Sequence, residues 1–427
     1  MSRPRVFLLG AALLVLLIAL TPLVPRGEDG DGLRPSGREQ SWALADAPGA
    51  GRVTTAMRAE IDRVVDEARA AGRRSEKPSP GALVDDLVRC ADLEGQTYCL
   101  GVGWTDRTEA QVQARMRVAA RSARSLTVET TGDLDVLGEL RRTATLSPSA
   151  RARAERAELV MAARSVAKVW VLRHAIQGVP LPADFLERHP EARAAPVARG
   201  GGSPSDDTTA PPCDCPTADP ATPTPSPTAT ASPVKTIADY PTKGIILDPA
   251  QVAEQVRSYW CGPTSMQMIA WGWKGEDRGQ DYWASKLGTT TSGTSIYDMV
   301  RVTNGNTGWD LPSHAGKYVV LDVGGFTFQQ WLLLTMKHVV DYTAPMIYHP
   351  ILLKQFYPYL DDDASGHFQV GRGYLEQEGK PTEVSYFEPW NQQLFDPSEP
   401  FIKRVQWRDA YKSYRANLAH PAHNMGV

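Results

Sequence analysis

The chain carries almost no net charge: 46 Lys and Arg against 49 Asp and Glu leave −3 over 427 residues. Without a basic excess there is no reason to expect a nucleic-acid partner. Histidine is scarce, eight in all. His174 and His189 lie far apart, with no cysteine or carboxylate at ligand spacing, so no metal site is expected. Gly371-Arg372-Gly373 lacks the third glycine and the following helix of a nucleotide fingerprint, and no cofactor is expected. Cysteine is also sparse. The five are Cys90, Cys99, Cys213, Cys215 and Cys261, and an odd count in an exported chain implies pairs plus one free thiol. Proximity makes Cys90 and Cys99 the first disulfide candidates. Cys213 and Cys215 are the second, although a Cys-x-Cys bridge is strained and these two can instead link two chains. Cys261 is left over.

What is present begins with an export signal. Arg3 and Arg5 precede an almost wholly apolar run over 6–24. That pattern reads as a signal peptide or an N-terminal membrane anchor at 1–26, with the rest of the chain outside the cell. No small-x-small cleavage site follows closely, and no cysteine offers a lipid site, so both versions stand. Secretion, or display on the extracellular face of the membrane by a single anchor, is the expected location. Residues 27–53 form a polar spacer. From 54 to 198 apolar residues recur at helical spacing, for example Met57, Ile61, Val64, Val65 and Ala68, then Leu159, Val160, Ala163, Val166, Val169 and Trp170. This predicts a mostly helical domain. We read it as an accessory or targeting domain in preference to an inhibitory prosegment. Residues 199–239 are rich in Pro, Thr and Ser, a composition that cannot bury a core, and are expected to be a linker with cell-wall association.

The region 240–427 holds most of the tryptophans. Cys261 stands at or just before a predicted helix start, with Pro263 in its first turn and Gly275 as its stop. The positive end of a helix dipole favours a thiolate there, the species that attacks carbonyls. Further helices are predicted from Gly293-Thr294-Ser295 and over 326–340 and 405–418. Strands are predicted over 345–348, 367–374 and 384–387. Helices first and strands later is an α+β order. Nucleophilic cysteine catalysis needs a thiolate, an imidazole to shuttle the proton, a group to orient that imidazole, and donors for the oxyanion. This region offers a candidate for each, in the chain order Gln, Cys, His, acid: Gln255, Cys261, His367 and Glu388. His349 is a rival to His367, because it too follows a strand. Asp361-Asp362-Asp363 reads as a solvated loop in preference to a calcium site, since adjacent carboxylates rarely converge on one ion.

Gln255 to Ser265, including Cys261-Gly262-Pro263-Thr264-Ser265, then Gly293-Thr294-Ser295, Gly366-His367 and Glu388-Pro389-Trp390 together resemble papain-like cysteine peptidases of the bacteriocin-processing, double-glycine type. The resemblance covers about 240–391. It implies Cys261 as nucleophile, His367 as general base, and Gln255 with the Cys261 N–H as the oxyanion hole. The family's orienting residue is usually an aspartate in an Asp-Pro pair. Here the pair is Glu388-Pro389, one methylene longer, with Asn391 as the nearby substitute. The expected activity is hydrolysis of peptide or amide bonds in a peptide or protein substrate. The alternatives are an amidase or acyltransferase acting on cell-wall peptides, and an inactive wall-associated binding module. The multiple spanning helices and nucleotide loop of transporter-fused members are missing, so coupled export is not expected.

Overall fold

A computed structural model describes residues 44–71, 79–122, 131–193, 234–398 and 400–427. The expected signal or anchor at 1–26, Cys213, Cys215 and nearly all of the linker at 199–239 lie outside the described residues. Among the described residues no helix is long and apolar enough to cross a membrane.

Local sequence accounts for most elements. The helix Thr55–Ala71 turns Met57, Ile61, Val64, Val65 and Ala68 into one buried stripe. The helix Pro148–Gln177 starts where Ser147 Oγ accepts the Ala150 N–H, with proline in the first turn. It ends at Gly178, whose φ of 69° suits a left-handed cap. Between them the region is less helical than expected. Three strands, β1 (Cys90–Leu93), β2 (Gln96–Cys99) and β3 (Gly103–Thr105), form an antiparallel meander. Polar residues at the Glu94-Gly95 turn and the short run lengths favour a hairpin over a helix. A disulfide joins Cys90 to Cys99 across the first hairpin.

Seven more strands follow: β4 (Lys243–Ile245), β5 (Val320–Asp322), β6 (Met346–Tyr348), β7 (Gln369–Leu375), β8 (Glu383–Phe387), β9 (Val405–Asp409) and β10 (Asn424–Gly426). All ten share one sheet in the order β1-β2-β3-β5-β10-β6-β7-β8-β9, with β4 also paired to β7. The order of elements is α+β, as expected. Two helix predictions shift. Residues 405–418 divide into β9 and the helix Ala410–Ala419, because Asp409 caps the helix by accepting the Tyr411 and Lys412 N–H groups. The helix Phe328–Met336 continues as a π-helical turn at Lys337–Asp341.

Residues 54–198 and 240–427, expected as successive domains, share this sheet and one core. β3 runs parallel to β5, with Trp104 beside Leu321. Trp104 is fully buried in a cluster that mixes Met57, Ile61 and Val166 with Met266, Trp331 and Tyr348. Part of the expected spacer packs here too: Ala47 is buried, and Tyr342 Oη donates to the Asp46 carbonyl. The physical reason is that a three-stranded meander cannot cover its own faces; it reaches stability by extending a larger sheet. Trp104→Ala is expected to cost about 3–5 kcal/mol of the stability of the whole body. A urea titration followed at tryptophans of both regions should show one shared transition moved to lower urea. Two transitions, only one of them moved, would refute the shared core.

Candidate active site

Cys261 heads the helix Cys261–Lys274, in which every residue from Cys261 to Ala270 is buried. Its position follows from local chemistry. Pro263 needs no N–H in a first turn, and Thr264 Oγ1 donates to the Trp260 carbonyl, closing that turn. Gly262 lies so close to Thr294 that a Cβ would sit 2.6 Å from its side chain. Cys261 is the free cysteine among the described residues, and it is fully buried. The dipole argument alone predicts a lowered thiol pKa; the structure gives the opposite. Burial pushes the thiol well up, and the Asp133 and Glu388 carboxylates add to this, against the Phe368 and Gly262 N–H groups. In this arrangement the thiol is neutral.

The partners come from neighbouring strand ends. β7 and β8 pair antiparallel with Val370 opposite Phe387, which brings the residues just before β7 and just after β8 to the same end. His367 Nε2 lies 2.6 Å from Glu388 Oε1, both side chains fully buried. Glu388 Oε1 also accepts the Trp390 N–H at 2.9 Å. Its Oε2 accepts Gln369 Nε2 at 2.7 Å and Tyr359 Oη at 2.9 Å. Burial alone would raise this carboxyl, but His367 and the converging donors hold it below the usual glutamate range. An ionised carboxylate beside Nε2 requires that nitrogen to carry the hydrogen. Nδ1 is buried with no hydrogen-bond partner. That is the tautomer needed to receive a proton from a thiol. The thiol lies against the N–H of Phe368, the residue next to His367.

Of the two candidates to orient His367, Glu388 meets the imidazole, while Asn391 takes the N-cap position of the short helix Gln392–Phe395. Gln255 is fully buried beside the same corner, its N–H donating to the Pro389 carbonyl. Its amide Nε2 donates to the Arg257 and Ser258 carbonyls at 3.1 and 2.8 Å, while Oε1 is buried without a partner. Gln255 thus braces the loop that leads to Cys261. The extra methylene of glutamate, relative to the family's aspartate, is accommodated by Tyr359 and Gln369, which take its outer oxygen.

Residues 248–416 match the protein-family model described as the Peptidase_C39 like family. The C-terminal part of the chain is a Peptidase_C39-like domain. It is therefore of the papain-like cysteine peptidase kind. No curated protein and no solved structure matches the chain.

The Peptidase_C39-like domain contains one feature that its own motifs do not announce. His349 and His420, both buried, close on Asp133 from the N-terminal region. His349 Nε2 lies 2.8 Å from Asp133 Oδ1, and His420 Nε2 lies 2.9 Å from Oδ2. These three could be taken for a metal triad. The hydrogen bonds say otherwise. His420 Nδ1 accepts the Ala422 N–H, so its Nε2 carries a hydrogen and donates to the carboxylate. Asn424 Nδ2 donates to the Val102 carbonyl, which leaves its Oδ1 for His349 Nδ1 at 2.7 Å. Burial alone would raise the Asp133 carboxyl, but the two imidazoles hold it far below the usual range. His349 is thus engaged with Asp133 and Asn424, and His367 is the imidazole paired with a carboxylate at the head of the Cys261 helix. No short-range signal marks this cluster, because 216 and 287 residues separate Asp133 from its two partners.

Burial lowers His420 to about 4 from an ordinary 6.5. The folded form binds that proton less well than the unfolded chain. The stability it contributes is complete above pH 6.5 and is lost as pH falls toward 4. His338 and His423, also lowered, act in the same direction, as do the depressed Asp133 and Glu388 at lower pH. Unfolding free energies measured in urea should fall over this window, and His420→Gln should flatten the fall. An unchanged slope in His420→Gln would contradict the assigned neutral imidazole.

Proposed function

We propose that the chain is an exported thiol hydrolase that cleaves peptide bonds. The observation that carries the reading is the buried His367–Glu388 pair at the head of the Cys261 helix, with Nδ1 of the imidazole left unpartnered. Cys261 gives its proton to His367 Nδ1 and attacks the carbonyl carbon of the scissile bond, forming a tetrahedral oxyanion. His367 then delivers the proton to the leaving amine, and a thioester to Cys261 remains. Water, deprotonated by the same imidazole, releases the acid and restores the thiol. Throughout, Glu388 keeps the ring oriented and offsets its transient charge. The Cys261 N–H is one oxyanion donor. Gln255 is the second in this reading, its amide turning from the Arg257 and Ser258 carbonyls when substrate enters. The apolar run after Arg3 and Arg5 supports export, and the Pro/Thr-rich composition of 199–239 supports a place in or beyond the cell wall.

Screening a peptide library with the full-length chain, and with a form whose cleft is opened as described below, is expected to yield a cleaved sequence. Cys261→Ala and His367→Ala should each lower its turnover at least about a thousandfold, and Glu388→Gln about a hundredfold. Cleavage that survives Cys261→Ala, or its absence from every form, would exclude the reading. Export should appear as protein outside the cytoplasm that is lost when residues 1–26 are deleted; unchanged distribution would exclude it.

A further inference from the structure

The cleft in front of Cys261 is occupied by the chain itself. Residues 131–134, from the N-terminal region, thread between the Tyr259–Cys261 corner and Gly293-Thr294. The Thr131 carbonyl accepts the Cys261 N–H at 3.2 Å. Thr131 also donates from Oγ1 to the Gly366 carbonyl at 2.7 Å and from its N–H to Ser365 Oγ at 3.0 Å. It therefore spans the nucleophile and the residues just before His367. Asp133 pairs with Thr294 in parallel: the Thr294 N–H donates to the Gly132 carbonyl, and the Leu134 N–H to the Thr294 carbonyl, each at 2.9 Å. Gly132 has a φ of +105°, and a Cβ there would collide with the backbone of Tyr259. Asp133 is locked between His349 and His420, and a Cβ on Gly366 would collide with its carboxylate. Beyond the strand, Asp135 caps the helix Val136–Ala144, and Arg142 of that helix pairs with Asp298 at 2.9 Å.

We propose that residues 131–134 are a built-in plug of the catalytic cleft, latched by Asp133 between His349 and His420, and that the enzyme is latent until this strand withdraws. The proposal rests on the thiol-hydrolase reading for what is being blocked. Three observations agree on it. The N–H that would stabilise the oxyanion is spent on Thr131. Both amide hydrogens of Gln255 are spent on loop carbonyls. The thiol is kept protonated by burial and by Asp133, a residue of the plug itself. The latch joins residues 216 and 287 positions apart, so the plug is held by the fold and not by one local contact. The N-terminal region is accordingly a regulator of the peptidase, which reverses the preference for an accessory role drawn from its composition.

The test alkylates Cys261 with iodoacetamide in the full-length protein, read by mass spectrometry, alongside circular dichroism and the peptide-library assay. Wild type should react at least about tenfold more slowly than a short peptide carrying the same cysteine. Gly132→Val, which the slot cannot hold, and Asp133→Ala, which removes the latch, should each react at least about tenfold faster than wild type while remaining folded. Folded variants that react no faster overturn the plug, even if they cleave peptides. Faster reaction without any cleavage upholds the plug and overturns the peptidase reading. If neither variant folds, wild type decides, because reaction at or above the peptide rate means an open cleft. An intact mass showing spontaneous cleavage between Thr131 and Gly132 makes the strand a substrate and overturns the plug as well.

Discussion

The carboxylate of Glu388 is the fixed point of the site. It is fully buried and accepts four donors, from His367, Trp390, Gln369 and Tyr359. A buried charge is tolerated only when its lone pairs are met, and each donor removed would leave it uncompensated. That requirement fixes the ends of β7 and β8 against each other, orients the imidazole and sets its tautomer. A glutamine or alanine at 388 would loosen all of these together. The nucleophile needs no such network. Its place is set by the start of a helix whose first ten residues are buried on every side.

A second buried carboxylate ties the N-terminal region to the C-terminal region. Asp133 receives donors from His349, next to β6, and His420, which follows the last helix. The continuous sheet does the same at larger scale through β3 and β5. A polar interaction that depends on three distant residues forms only when all of them are already in position. The cleft is therefore closed by tertiary structure, and the same body that positions Cys261 also withholds it.

Legibility in the sequence followed the range of each interaction. The Cys261 helix, with Pro263 and Gly275 at its ends, was readable because caps and helix starts are local. His367 was favoured from the glycine before it and the acid after it, and the two candidates to orient it, Glu388 and Asn391, lie three residues apart. The disulfide partners are nine apart. What could not be read involves long separations. The β1–β3 meander was not legible within the mostly helical pattern, because its pairing with β5 lies more than 200 residues away. The thiol's raised pKa was invisible because it depends first on burial in the folded body and then on Asp133, which carries no motif. Val405–Asp409 was read as helix because its apolar spacing suits either state, and only pairing with β8 decides it.

In the proposed reaction Cys261 forms an acyl bond with substrate. This step is tested most directly by acid-quenching the enzyme while it turns over a cleaved peptide, then measuring the intact mass of the protein. The expected result is an adduct equal to the acyl half of the substrate, mapped to Cys261 and chased away when hydrolysis continues. Turnover with no adduct at Cys261, or with an adduct on another residue, would contradict it.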